Sequence, residues 1–183
     1  MPLYITSATR ATLTVEQLLA SRDARHARQQ AWLAQYASTL VSFTVLAPGP
    51  VKDSPLTRRI FNRGLRALRQ RLAERGWEIT HQLCVALPTG PEGLLAVSAP
   101  PEPLKRALID LEQASPQGRL WDFDVFTPQG TLLSRRDYGL PARPCLLCQQ
   151  DASACARSRA HTTADLLRQM DTLMQHTDAV INH

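Results

Sequence analysis

The chain has 183 residues, of which 44% are hydrophobic and 20% are charged, and its formal net charge is +5. This composition excludes a disordered chain, and no apolar run reaches the ~20 residues that a membrane-spanning helix needs. Because the N-terminus lacks the basic and apolar regions of a secretory signal, we expect a cytoplasmic protein with a single domain and no membrane partner.

The positive charge is almost entirely arginine, since Lys52 and Lys105 are the only lysines. Arginine binds phosphate and carboxylate groups through two parallel hydrogen bonds. The bias therefore favours an anionic partner, although a GC-rich genome would produce the same bias. Aromatic residues make up only 5% of the chain and are not interleaved with basic ones. We expect no nucleic-acid partner, because single strands are bound by stacking on aromatic side chains.

The first half of the chain predicts a helix, a strand and a second helix. Thr14 begins the first helix, since Gln17 stands at capping-box spacing and apolar residues then recur with helical periodicity. An alternating stretch rich in β-branched residues predicts a strand over 40–46. Ser54 and the proline after it are typical of a helix start, and this second helix ends at Gly76.

The second half predicts strands over 78–87, 94–98 and 119–126, and helices over 102–113 and 163–180. After the first helix, the element order predicts an α+β fold with a split βαββαβ, ferredoxin-like core. Its antiparallel or mixed sheet would carry the helices on one face. A nucleotidyltransferase-type mixed sheet is the alternative. We expect one α+β catalytic domain over 1–140, starting with a helical segment over 1–37, and a cysteine-rich loop and C-terminal helix over 141–183 packed on it.

Asp122 and Asp124 are candidate metal ligands in the strand over 119–126. Because alternate residues of a strand point to the same face, both carboxylates share one face while Phe123 takes the other. Adjacent carboxylates repel each other, and a divalent cation such as Mg²⁺ relieves the repulsion while also binding substrate phosphates. The alternative is a polar, solvent-facing strand whose carboxylates are neutralised by arginines.

A candidate phosphate site lies where residues 48–54 lead into the second helix, which carries Arg58 and Arg59. The free N–H groups at a helix N-terminus favour phosphate binding, and Lys52 would add a positive charge just before this helix. The glycine and lysine spacing of a P-loop is absent, so a purely structural turn is the alternative.

Cys145, Cys148 and Cys155 lie within a short segment, and His161 follows them. A CxxC pair with a further cysteine and a histidine is a ligand set of structural zinc sites. The alternative is a turn with three reduced cysteines, because a cytosolic chain keeps its thiols reduced. A thioredoxin-type redox site is disfavoured, since a proline-rich loop precedes the motif instead of a strand.

Residues 118–125, with the sequence GRLWDFDV, resemble the signature of the apo-citrate lyase phosphoribosyl-dephospho-CoA transferase family. The resemblance extends to further blocks along the chain, at 21–29, 41–50, 52–54, 57–62, 90–93, 134–138, 145–148 and 155–157. Blocks of this length make the match specific. The first dozen residues match nothing in the family.

The resemblance implies a nucleotidyltransferase-type enzyme, a citrate lyase holo-acyl-carrier-protein synthase. Its donor would be triphosphoribosyl-dephospho-CoA, its acceptor a serine of the acyl carrier (gamma) subunit of citrate lyase, and its by-product pyrophosphate. On this basis we expect Asp122 and Asp124 to be catalytic and to bind Mg²⁺. The expected phosphate-binding residues are Lys52, Arg58, Arg59 and Arg119.

The alternative from another functional class is a non-enzymatic, zinc-stabilised adaptor that binds an acidic or nucleic-acid partner. A basic surface would suit an acidic partner in either case. Metal-dependent release of pyrophosphate would distinguish the enzyme from the adaptor.

Overall fold

A computed structural model describes residues 2–181, with side chains described up to residue 175. In chain order the elements are α1 (Val15–Tyr36), β1 (Thr39–Val45), α2 (Pro55–Glu74), β2 (Glu78–Leu87), β3 (Gly90–Ser98), α3 (Pro101–Gln113), β4 (Trp121–Phe126), β5 (Leu132–Leu133), α4 (Ala152–Ser158) and α5 (Thr163–Ile181). Two 3-10 turns, Pro116–Leu120 and Arg135–Tyr138, precede β4 and follow β5. All the predicted helices and strands are present, and α4 is a short helix that the sequence did not predict.

The strands form one five-stranded sheet with the order β2-β3-β1-β4-β5. Each strand is antiparallel to its neighbours in this sheet. The α+β class is therefore confirmed, and the predicted alternative of a mixed sheet is wrong for the described residues. Strand β1 occupies the centre of the sheet, so that its residues contact both β3 and β4.

Local signals determine where α1 and α2 begin. The Thr14 hydroxyl accepts a hydrogen bond from the backbone N–H of Gln17, whose side chain in turn accepts one from the backbone N–H of Thr14. Ser54 and Thr57 form the same reciprocal arrangement at the start of α2, with a proline in the first turn. These bonds satisfy N–H groups that have no partner inside the helix, and both predicted helix starts are confirmed.

The main hydrophobic core lies between one face of the sheet and helices α2 and α3. At its centre the ring of Phe43 stacks on Phe61 and on Phe123, with ring centroids 4.6 Å and 4.5 Å apart. Gly64 leaves room for the Phe43 ring, because a Cβ at that position would lie 2.4 Å from it. Helix α5 contributes the buried side chain of Met170 to the same core. The core therefore joins elements from both halves of the chain.

Helix α1 covers the opposite face of the sheet. Leu33 belongs there to a smaller apolar cluster with Leu40 and Leu94, and Gln29 donates a 2.9 Å hydrogen bond to the hydroxyl of Ser42. The two helices of the predicted core, α2 and α3, thus lie on one face as predicted, whereas α1, which precedes that core, covers the other face. The second face also carries apolar residues, which a covering helix removes from water.

Strand β3 begins at Gly90 and not near residue 94, so the turn after β2 is shorter than predicted. Strand β1 pairs with β3 only as far as Gly93, which leaves the first residues of β3 with a partner on one side only. Proline is tolerated at such an edge position. Because Pro91 is typical of a turn, the sequence predicted a loop there instead of the start of the strand. The longer strand places Glu92 in the sheet.

Among the described helices, none is long and apolar enough to cross a membrane.

Candidate active site and metal centre

Asp122 and Asp124 lie on the face of the sheet that α1 covers. Their strand β4 alternates buried and half-buried residues, and its register with β1 places Asp122 beside Thr44 and Asp124 beside Ser42. The side chain of Asp122 is 49% exposed, so it can reach a ligand from solvent. The predicted sharing of one face by the two carboxylates is confirmed.

The electrostatics of Asp124 differ from those of an ordinary exposed carboxylate. Burial raises the pKa of the Asp124 carboxyl, and the neighbouring Asp122 carboxylate raises it further. Positive side chains nearby, those of Lys105, Arg143 and Arg25, oppose this rise. A divalent cation between the two aspartates would favour the charged form of both, because it removes their mutual repulsion.

Side chains of α3 form hydrogen bonds with the backbone of β4 on the side where β5 does not pair with it. Strand β5 pairs only with the end of β4, and at Phe123 the backbone N–H donates to Glu112 while the carbonyl accepts from Lys105, at 3.1 Å and 2.8 Å. Arg143 links this pair to the site, since it lies 2.7 Å from a Glu112 oxygen and 3.2 Å from an Asp122 oxygen. Burial raises the pKa of Glu112 and lowers that of Lys105.

Gly118 permits the contact between α3 and the strand that carries the aspartates. A Cβ at this position would lie 2.5 Å from the carbonyl oxygen of Glu112. Only glycine lets the 3-10 turn before β4 approach the end of α3 this closely. The glycine of the stretch 118–125 therefore positions the aspartates indirectly, through the packing of the turn.

Glu92 is a third carboxylate on the same face, and the sequence analysis did not single it out. It is buried, and it accepts two hydrogen bonds from Arg28 at 2.9 Å and 2.8 Å and one from Arg25 at 3.3 Å. The hydrogen bonds that Arg28 donates to Glu92 raise the pKa of Arg28. The only local sign of its role is that an acidic residue stands at the edge of an apolar strand. Its partners could not be identified from neighbouring residues, because they come from α1.

A cationic pocket of about 260 Å³ lies between α1 and the end of β1. Lys52, Arg22 and Arg25 line it together with Thr44. Burial lowers the pKa of Lys52, and the positive charge of Arg22 lowers it further. No described carboxylate forms an ion pair with Arg22 or Lys52. An anion in the pocket would relieve the repulsion between these cations.

The remaining predicted phosphate-binding residues already have protein partners. Arg58 forms a buried ion pair with Asp53 at 2.6 Å, and its hydrogen bonds outweigh the effect of burial and lower the pKa of that carboxyl. Arg59 pairs with Asp171 of α5 at 2.9 Å. Arg119 donates to the carbonyl of Cys145 at 3.0 Å. Their role in phosphate binding stays a prediction.

The four predicted zinc ligands converge between β5 and α5. The ligand atoms of Cys145, Cys148, Cys155 and His161 all lie within 4.8 Å of one another. The sulfurs of Cys148 and Cys155 are 3.5 Å apart, and the His161 Nε2 atom lies 3.3 Å from the Cys148 sulfur. The convergence that the spacing predicted is confirmed, and the set of three sulfurs and one nitrogen is that of a tetrahedral zinc site.

The cluster also favours a thiolate. Burial opposes ionisation of Cys145, but hydrogen bonds from the backbone N–H groups of Leu147 and Cys148 and from the other thiols lower its pKa to about 6. Hydrogen bonding to Cys148 raises the pKa of Cys155 to about 12. Backbone donors aimed at the first sulfur of a CxxC pair stabilise its charged form, and the charged form binds metal.

Comparisons with known proteins agree with these features. The family model described as apo-citrate lyase phosphoribosyl-dephospho-CoA transferase matches residues 13–177. A curated relative of that name from Escherichia coli O6:K15:H31 (strain 536 / UPEC) is 54% identical over 167 residues, which cover 91% of each chain. A relative of the same name from Shigella boydii serotype 18 is 53% identical with the same coverage. The resemblance seen in residues 118–125 is confirmed.

Proposed function

The chain belongs to the apo-citrate lyase phosphoribosyl-dephospho-CoA transferase family, and we propose that it modifies the acyl carrier (gamma) subunit of citrate lyase. The donor in this proposal is triphosphoribosyl-dephospho-CoA, and the acceptor is a serine hydroxyl of the carrier. Membership of the family makes the chain a transferase and disfavours the alternative of a non-enzymatic adaptor. The net charge of +5 suits an anionic donor and an acidic carrier.

The proposed reaction is a nucleotidyltransferase-type displacement at phosphorus. The serine oxygen forms a bond to the α-phosphorus of the triphosphate, while the bond between that phosphorus and the bridging oxygen breaks. Pyrophosphate leaves with the electron pair of that bond, and the carrier gains a phosphodiester-linked group. The serine proton passes to a carboxylate, for which Asp122 and Asp124 are the candidates, since both are half-buried side chains on the same face of β4.

One observation carries this proposal: the cationic pocket lies directly beside the paired aspartates. Thr44 lines the pocket and is the register neighbour of Asp122 on the next strand. Directly opposed residues of antiparallel strands have Cβ atoms about 4.5–5.5 Å apart. A triphosphate held by Lys52 and Arg22 can therefore extend from the pocket to the carboxylates of Asp122 and Asp124. Binding and charge stabilisation are the main requirements of phosphoryl transfer.

The aspartate pair fits a magnesium ion. Magnesium in phosphate-transferring sites is bound by one or two carboxylates together with substrate phosphates and water. The half-buried pair of Asp122 and Asp124 offers this number of ligands, and the repulsion between them supports a bound cation. When bound, Mg²⁺ would neutralise negative charge on the triphosphate. Arg143 would orient Asp122 from the other side, at 3.2 Å.

Mass spectrometry of the carrier subunit tests the proposed function. The full chain is incubated with apo-carrier, triphosphoribosyl-dephospho-CoA and Mg²⁺, and carrier mass and pyrophosphate are measured together. We expect the carrier to gain one phosphoribosyl-dephospho-CoA group with an equal amount of pyrophosphate, and EDTA to prevent both. A carrier whose acceptor serine is replaced by alanine is the control. An unmodified wild-type carrier would contradict the proposal.

We also propose that Cys145, Cys148, Cys155 and His161 hold a structural zinc ion. Their convergence and the backbone N–H groups aimed at Cys145 support it. All four positions of a tetrahedral ion would be occupied by protein, which is typical of structural and not of catalytic zinc.

Metal analysis of the purified protein tests the zinc site. We expect about one zinc per chain, and we expect Cys148→Ser to lose the metal. Cys84→Ser is the matched control, because Cys84 is a free cysteine in β2 outside the cluster. Wild-type protein without zinc, or equal zinc in both variants, would contradict the site.

The architecture is proposed to be a ferredoxin-like split core with a C-terminal addition. The antiparallel order β2-β3-β1-β4 and the location of α2 and α3 on one face support the split βαββαβ pattern. Residues 1–140 would form the catalytic domain, and residues 141–183 would pack on it. The burial of Met170 and Met174 from α5 in the main core supports this packing.

A further inference from the structure

A second pocket of about 320 Å³ also adjoins the end of β1. The two pockets share Val45 and Ala47 in their walls, and Asp122 lines the second one. The volume is near the lower end of the range of small-molecule sites. The two pockets therefore adjoin each other at the end of β1, and Asp122 lies in the wall of the second one.

We propose that the second pocket binds the adenine ring of the donor, while the cationic pocket binds its triphosphate. This inference rests on the proposed function, because the donor is the one named there. It assigns two parts of one ligand to two adjoining sites next to Asp122, at which the bond to the carrier would form. The segment 143–152 thereby becomes part of the donor site.

The walls of the second pocket suit a flat, apolar ring. Leu46 and Ala152 provide exposed apolar surface, and Leu146 adds a half-buried side chain between them. Arg119 and Arg143 also line the pocket. A guanidinium plane stacks on an aromatic ring, and this contact combines with the apolar walls to favour a nucleobase.

The two arginines are held along the edges of their guanidinium groups, and a flat ring would stack on the faces that these bonds do not use. Arg119 donates to the carbonyls of Pro144 and Cys145. Arg143 donates to the carbonyl of Trp121 at 3.0 Å and forms ion pairs with Glu112 and Asp122. Because these bonds lie in the plane of each guanidinium, they immobilise it before a ligand arrives.

Adenine fits this pocket better than the other parts of the donor do. The arginines of this pocket already have protein partners, whereas the neighbouring cationic pocket offers a phosphate Arg22 and Lys52, which form no ion pair with a described carboxylate. A pantetheine arm has no aromatic face to stack on Arg119 or Arg143. The second pocket therefore selects the adenine ring by stacking and apolar contact, and the cationic pocket selects the triphosphate by charge.

The pocket also depends on the cysteine segment. Leu146 and Ala152 belong to that segment, and the Cys145 carbonyl orients Arg119. A β-bridge between Pro144 and Asp151 closes the same loop. The cluster of three cysteines and His161 thus stabilises one wall of the adenine site. Disruption of the cluster is expected to weaken binding of the base while leaving triphosphate binding in place.

Calorimetry with two simple probes tests the assignment on the full chain. AMP reports on the second pocket and inorganic tripolyphosphate on the cationic one. Ala152→Phe fills the second pocket, and Ser153→Phe places the same ring on the exposed neighbouring residue, which does not line it. Leu46→Glu is a second variant, at an exposed position where the fold tolerates a charge.

We expect Ala152→Phe and Leu46→Glu to weaken AMP binding about tenfold or more and Ser153→Phe to leave it unchanged. Ala152→Phe should bind tripolyphosphate like wild type, whereas Arg22→Ala should lose tripolyphosphate and keep AMP. In competition with dephospho-CoA, AMP should displace it and 4′-phosphopantetheine should not.

The proposal is overturned if wild type fails to bind AMP, if both pocket variants bind it normally, or if only phosphopantetheine competes. In each of these cases the transfer assay of the carrier subunit still decides the proposed function separately. Equal loss of AMP binding in Ala152→Phe and Ser153→Phe would also overturn it, since the effect would then be independent of the pocket.

Discussion

The two faces of the central sheet are built from the same strands but differ in chemical character. On the face beneath α2 and α3, β4 contributes the buried rings of Trp121 and Phe123. On the face beneath α1, the same strand contributes Asp122 and Asp124, and β3 contributes Glu92. Adjacent residues of one strand therefore contribute to the core and to the proposed site separately, because the side-chain period of a strand is two.

The covering helices differ in the same way. Helix α2 buries an extended apolar stripe, whereas the only buried residues of α1 are Gln29 and Leu33. Polar contacts, such as those of Arg28 with Glu92, provide much of the remaining attachment of α1. The α2 and α3 side therefore contributes most of the apolar burial that stabilises the fold, which leaves the α1 side free to hold charges.

Substitution of either aspartate gives the largest expected effect on the α1 side. Asp122→Asn and Asp124→Asn should reduce carrier modification below about 1% of wild type, because asparagine keeps the size but removes the charge that binds magnesium. Thermal stability without metal should be unchanged or slightly higher, since carboxylate repulsion is relieved. The measurements are carrier mass at saturating Mg²⁺ and donor, and thermal melting.

Asp110→Asn is the matched control, because Asp110 is exposed on α3 and has no ion pair in the described structure. Near-normal transfer by either site variant would disprove the metal assignment. A large fall in melting temperature would instead identify the aspartates as structural partners of arginines. The exposed pair of Asp122 and Arg143 gives little reason to expect that, since such pairs contribute about 0–1 kcal/mol.

Truncation of a ring on each face measures the difference in stability directly. Phe123→Ala should lower the free energy of unfolding by about 3–5 kcal/mol, because it leaves a cavity beside Phe43 in the main core. Phe126→Ala on the α1 face should cost less, since Phe126 belongs to the smaller cluster. Urea unfolding of both variants measures the two losses. Equal losses would show that the faces contribute alike.

The smallest expected effect concerns the pH dependence of stability. Burial and Asp122 raise the pKa of Asp124 in the folded chain, so in metal-free protein the folded state binds a proton that the unfolded state has released. This contribution is fully present below the unfolded pKa of about 3.9 and is lost as the pH rises through the raised folded pKa. Stability should therefore fall with rising pH in that window.

Asp124→Asn should reduce this slope, and urea unfolding in EDTA from about pH 4 to pH 7 measures it. The slope should not vanish, because burial raises the pKa of Glu112 as well and adds a contribution of the same sign. Asp110→Asn should keep the wild-type slope. A slope that Asp124→Asn leaves unchanged would place Asp124 in a better solvated environment than the one described.

Short-range sequence patterns predicted much of the fold. Capping boxes at Thr14 and Ser54 predicted two helix starts, and alternation predicted that Asp122 and Asp124 share a face. These signals succeed because they act between residues a few positions apart, where the geometry of a helix or strand alone fixes the outcome. The prediction began β3 too late, after Pro91, because whether a proline is tolerated depends on which strands pair beside it.

Sequence patterns predicted most of the helices and strands, though not α4 or the start of β3, and they predicted the shared face of the aspartates, the convergent cysteine cluster and the family. Only the tertiary structure decided which charges remain available for a ligand. Arg58 forms an ion pair with Asp53, whereas Arg22 and Lys52 line one pocket and form no ion pair with a described carboxylate. The physical reason is that a charge finds its partner through space: pairs such as Arg28 and Glu92 lie far apart along the chain, and packing of α1 on the sheet brings them together.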